Sequence, residues 1–221
     1  MGICEDGILN IEGYNNAPVK IVWVLKEALC DSDLGEQLDN AIKNHLYSPT
    51  WLTMAYATYA VLAGWKSGNF TEWKAVPTLD DGVLEILRQV AVVNAKKEAC
   101  TARNGLSDNA EIWEAYDKER EAINRQINGL APDIVVFGYP EMLRGIVESV
   151  FKTQTGKEYC IDRHFGDFAA TTAEVKGKRK LFLWGYHPGF YRSEEDGEHS
   201  QYKYFTDFIA AVKEFRKQVT E

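Results

Sequence analysis

Four short runs of apolar residues punctuate the chain, and each gives way to polar residues at its carboxyl end. The first is Lys20-Ile21-Val22-Trp23-Val24-Leu25, followed by Lys26-Glu27. The second is Val90-Ala91-Val92-Val93, running into Asn94-Ala95-Lys96-Lys97. The third, Asp133-Ile134-Val135-Val136-Phe137, meets Gly138-Tyr139-Pro140. The fourth, Lys180-Leu181-Phe182-Leu183-Trp184, meets Gly185-Tyr186-His187-Pro188-Gly189. Runs that are apolar at nearly every position, instead of alternating, predict parallel strands buried on both faces.

Between these runs the period lengthens. Residues 1–19 read as a loop. Asp31-Ser32-Asp33 marks a helix start that continues through Gln37 and Leu38. Tyr47-Ser48-Pro49-Thr50 interrupts it, and an alanine- and aromatic-rich helix follows over about 51–62. A short helix is expected over 79–88 and a polar loop over 99–109. A long helix over about 110–128 has Ile112, Ala115, Tyr116, Ile123 and Ile127 on one side. Further helices are expected over 141–151 and 200–217, with a β-hairpin within 152–180. Helices alternating with buried strands imply right-handed crossovers. They predict an α/β fold, a three-layer α/β/α sandwich around a central, mostly parallel, four-stranded sheet. The 221 residues suit one such domain over 1–221.

Charge narrows the partners. A formal net charge of −8 argues against a general nucleic-acid binder, because phosphate neutralisation supplies most non-specific affinity. Local basic groups remain at Lys96, Lys97 and Arg103, and at Lys176, Lys178, Arg179 and Lys180; both also read as solvated loops. No apolar run is long enough to span a bilayer, and the N-terminus lacks the basic and apolar regions of a signal peptide. A cytoplasmic protein with no membrane partner is expected. Cys4, Cys30, Cys100 and Cys160 show no paired spacing, so free thiols are expected, with neither zinc nor an iron–sulfur cluster. Phosphate-loop, dinucleotide, serine-esterase and zinc-protease motifs are absent from the sequence.

The strand ends carry the candidate chemistry, since open α/β sheets bind ligands beyond the carboxyl ends of their strands. The Pro188-Gly189 turn aims His187 into that crevice, where it would donate a hydrogen bond to an oxygen gaining negative charge. Its alternative is an ordinary core or surface histidine. Asn94 has the donors and acceptor to read a planar amide-like edge, such as a pyrimidine base, or else ties two loops together. Glu27 would activate a water or stabilise a cation, and Lys26 would pair with it or touch a phosphate. Alternation along a strand predicts that only one of the two enters a given pocket; a surface ion pair is the alternative. Trp51, Tyr56, Tyr59, Trp65, Phe70 and Trp73 read mostly as core, with one or two free to form a base-stacking wall.

These elements together resemble the uracil-DNA glycosylase superfamily, in a divergent bacterial and phage branch. Val24-Leu25-Lys26-Glu27-Ala28 stands where the superfamily carries a water-activating motif. Val92-Val93-Asn94-Ala95-Lys96-Lys97 resembles the strand whose asparagine reads uracil. Gly185-Tyr186-His187-Pro188-Gly189 resembles the closing H-P-S motif. The three fall in the expected order across about residues 19–215. Two departures stand out: the first motif lacks its glycine and proline, and Gly189 replaces a serine that would grip a phosphate.

The resemblance implies a uracil-DNA glycosylase-like fold and an N-glycosylase acting on a flipped, deaminated base in DNA, without a cofactor. It implies Glu27 and His187 as catalytic residues. Lys26, Asn94, Tyr186 and Gly189 would bind the substrate, and Lys96, Lys97 and Arg192 would contact nucleic acid. Two rival expectations stand beside it. One is an enzyme on the same fold that processes a free nucleoside or nucleotide. The other is a non-catalytic module that binds nucleic acid or protein.

Overall fold

A computed structural model describes residues 5–27, 32–99, 107–193, 195 and 197–220. The four apolar runs form the parallel centre of its sheet. They are β2 (Ile21–Glu27), β3 (Ala91–Lys96), β4 (Ile134–Gly138) and β7 (Lys178–Gly185). β2 pairs in parallel with β3 on one side and β4 on the other, and β4 pairs in parallel with β7.

The sheet is wider than the expected four strands: among the described residues it has seven, in the order β1-β3-β2-β4-β7-β6-β5. The additions are antiparallel and lie at its two edges. β1 (Gly7–Ile8) pairs with β3, while β6 (Phe168–Val175) pairs with β7 and carries β5 (Arg163–Phe165) outside it. The β6–β7 hairpin turns at Lys176 and Gly177, both at positive φ. Residues 1–19 are thus more than the expected loop, since β1 and the short helix α1 (Ile11–Asn16) lie there.

Side-chain alternation divides the core between the two faces of the sheet. Ile21, Trp23 and Leu25 point to one face, under α2 (Leu34–Lys43), α3 (Pro49–Gly64) and α6 (Gln201–Thr220). Val22 and Val24 point to the other, under α4 (Asn109–Gly129) and α5 (Arg144–Thr155). Both faces are therefore covered, which is why the runs Ile21–Leu25, Ala91–Val93, Ile134–Phe137 and Leu181–Trp184 hold no polar residue. The buried Trp23 ring stacks on Phe208 of α6 at 5.6 Å. α3 is apolar almost all round, as befits a helix buried on most sides. The short helix expected over 79–88 is a 3-10 helix at Val83–Gln89.

Ser48 caps α3 by accepting the Trp51 N–H, with Pro49 in the first turn. Asp33 caps α2 in the same way through the Glu36 N–H. These two capped helix starts lie over the carboxyl end of the sheet and wall the cavity there.

Candidate functional site

The ends of β2 and β3 and the turn after β7 open onto one cavity of about 390 Å³, within the range of roughly 300–1,000 Å³ usual for small-molecule sites. Leu25, Leu34, Trp51, Val92 and Phe190 supply its apolar wall. Glu27, Asn94 and His187 all line it, as do Lys26, Gly189 and Arg192. The expectation that only one of Lys26 and Glu27 enters is corrected. Both are the last residues of β2, and the cavity opens around that carboxyl end.

Glu27 ends β2 with its side chain only 3% exposed. Its Oε1 accepts the Ser107 N–H at 2.8 Å. Lys96, opposite Glu27 in register, holds its Nζ 3.6 Å from Oε2 and donates to Ser107 Oγ at 2.7 Å. Oε2 is buried, with the Lys96 ammonium as its ion-pair partner and no hydrogen bond among the described residues.

Asn94 sits within β3 opposite Leu25 and is 2% exposed. Its main-chain N–H donates to Asp6 Oδ2 at 2.7 Å. Asn94 lines the cavity.

His187 precedes the one-turn helix Pro188–Phe190. Its Nδ1 accepts the Gly189 N–H at 3.1 Å. A nitrogen that accepts carries no proton, so Nε2 holds the hydrogen of the neutral ring. Burial lowers the His187 pKa to about 4, and the charge of Lys26 adds to the effect. The ring is therefore a neutral donor at physiological pH.

Two glycines let this turn close. A Cβ on Gly138, at the end of β4, would lie 3.0 Å from Pro188 Cδ and 3.3 Å from His187 Cα. A Cβ on Gly189 would lie 2.5 Å from Thr50 Oγ1 at the start of α3. A serine at 189, as in the motif the sequence resembles, would require Thr50 to shift. Behind the turn, the Tyr139 hydroxyl donates to the Leu25 carbonyl and Trp184 Nε1 donates to the Tyr139 carbonyl, tying the ends of β2, β4 and β7 together.

No family model matches the chain, and a search of curated proteins returns no match either.

The remaining expected residues scatter. Tyr186 is exposed, packs on Phe190 at 5.5 Å, and lines a separate small hollow with Tyr139 and Trp184. Lys96 lies beneath the cavity floor rather than on an outer surface, because Glu27 and Ser107 occupy its ammonium. Lys97 is turned away, bound to Asp6 and Gln126. Arg192 is exposed at the rim, its carbonyl accepting the Tyr47 hydroxyl. Cys160 is exposed; Cys4, Cys30, Cys100 and Arg103 fall outside the described residues. Among the described residues no group of three or more His, Cys, Asp or Glu side chains is arranged to hold a metal, and no helix is long and apolar enough to cross a membrane.

Sequence reasoning missed Gln37, Ser48, Thr50 and Phe190 in the cavity lining and Asp6 behind Asn94. Only Ser48 carried a signal, as a helix-start residue before a proline.

Proposed function

We propose that the chain is a uracil-DNA glycosylase-like N-glycosylase that hydrolyses the bond between a deaminated base and its sugar. One observation carries the reading. A buried carboxylate ion-paired to Lys96, a carboxamide and a neutral imidazole with a fixed tautomer share one largely apolar cavity.

In this mechanism the flipped base enters the cavity. The Asn94 carboxamide meets the amide-like edge of the base. As the glycosidic bond breaks, its electron pair passes to the base nitrogen and spreads to a carbonyl oxygen. His187 Nε2–H donates to that oxygen and keeps its proton. A water on Glu27 Oε2 adds to the electron-poor sugar carbon, and the carboxylate accepts the proton released. The charge of Glu27 also offsets the positive charge on the sugar.

A second reading, a free nucleoside or nucleotide as substrate, draws support from the internal pairing of Lys96 and Lys97 and from the acidic chain. Salt separates the two. Binding to a polymer weakens steeply with salt, as the number of phosphates contacted, and binding to a nucleoside does not.

The test is a released-base assay on single- and double-stranded oligonucleotides carrying uracil, other deaminated bases or alkylated bases, run beside the free nucleosides. Release from an oligonucleotide supports the first reading. Release from nucleosides alone selects the second, and no release from any substrate rejects both.

A further inference from the structure

β1 covers only the first part of the β3 edge. Its two residues pair with Ala91 and Val92. Farther along that edge, the N–H of Asn94 meets the carboxylate of Asp6 at 2.7 Å. Gly7, at φ +133°, gives the chain the bend that turns this side chain back onto β3.

The Asp6 carboxylate is enclosed, its side chain 2% exposed. Lys97 Nζ donates to both of its oxygens, at 2.6 and 2.9 Å. Gln126 Nε2, from α4, donates to Oδ1 at 2.9 Å and to the Asp6 carbonyl at 3.0 Å. Lys97 in turn donates to Gln126 Oε1 at 2.8 Å. A buried pair with its remaining hydrogen-bonding groups satisfied is specific in geometry, whatever its net effect on stability.

The cluster grips β3 from behind while the Asn94 carboxamide faces the cavity in front. We infer that Asp6 is a positioning residue for Asn94: through the main-chain N–H it holds the carboxamide at the angle at which it meets a base edge. The inference rests on the proposed role of Asn94 in base recognition. It also extends it, because discrimination between bases would then depend on a residue that never touches the base.

The experiment compares Asp6→Ala/Lys97→Met with Asp6→Asn/Lys97→Met. Both remove the two charges together, so neither leaves a lone buried ion. Only the second keeps an acceptor for the Asn94 N–H. The first readout needs no substrate: the Asn94 χ1 rotamer from three-bond NMR couplings, with hydrogen exchange of the Asn94 amide. The wild type and the Asn variant are expected to hold one rotamer. The Ala variant is expected to average rotamers and to lose roughly five- to tenfold of amide protection, the loss of about one hydrogen bond, with Val92 and Val93 unchanged.

The second readout is base release by the same proteins. The Ala variant should raise KM roughly five- to tenfold and narrow the preference between bases, with kcat less affected, and the Asn variant should restore both. An unaveraged Asn94 rotamer in the Ala variant overturns the inference. So does unchanged KM and base preference in a variant whose rotamer does average. Wild type releasing no base rejects the glycosylase reading instead, and the NMR readout still decides whether Asp6 positions Asn94.

Discussion

The Gly189 N–H points at Nδ1 of His187, 3.1 Å away, and so decides which ring nitrogen of this cavity-lining histidine carries the proton. That geometry, with the cavity above it, yields four expectations.

The first is a titration. In the fold His187 has a pKa of about 4, below its ordinary value of 6.5. The unfolded chain then binds the more protons between those values, so the contribution of His187 to stability is full above about pH 6.5 and is lost as pH falls toward 4. Nitrogen-15 NMR should find the Nε2–H tautomer at neutral pH. Lys26→Met, which removes the neighbouring charge, should raise the pKa; a pKa unmoved by that change would contradict the electrostatic assignment.

The second concerns catalysis under the proposed function. His187→Ala should lower kcat for base release by roughly 10² or more, because the ring acts on charge that develops in the transition state. Asn94→Ala should raise KM and blur base preference, since it meets the base in ground and transition states alike. Steady-state kinetics on matched oligonucleotides separate the two patterns. Equal effects on KM from both changes would remove the distinction of roles.

Glu27→Gln tests the third partner. The amide keeps an oxygen for the Ser107 N–H but cannot take a proton from water or oppose a positive sugar. A fall in kcat of roughly 10² to 10⁴ is expected, with folding checked by circular dichroism. Activity within about threefold of wild type would exclude general-base action by this residue.

A fourth expectation joins two residues across the cavity wall. Gly189→Ala should destabilise the fold by about 1–3 kcal/mol, as overpacking does, because the new Cβ meets Thr50 Oγ1. Thr50→Ala should recover part of that loss. A double-mutant cycle in urea measures the coupling, and additive changes would mean that Thr50 is not the obstacle.

The parallel centre of the sheet was legible because strands covered on both faces must be apolar throughout. The sequence carried this at Ile21 to Leu25 and at Ile134 to Phe137 without ambiguity. The antiparallel β5–β6 pair falls within the stretch 152–180 where a hairpin was expected. β1 was not legible: with two residues it shows no period, and it forms only because β3 offers an open edge. The convergence of Glu27, Asn94 and His187 could be read from their shared position at strand ends. Thr50 and Gln37 could not, since polar residues in a first helical turn look alike whether they face solvent or a cavity. Asp6 was hidden for a different reason: 88 positions separate it from Asn94, and no local pattern links them.

α6 has one more use. It starts beside the cavity, where the Gln201 N–H bonds the Ser193 carbonyl, and finishes with Gln218 and Val219 near Asp133 and Lys178, which lie at the amino ends of β4 and β7. Twenty helical residues span about 30 Å at 1.5 Å per residue. The helix is a built-in ruler between the two poles of the molecule. A dye on the exposed Lys217 would report from the pole remote from the cavity.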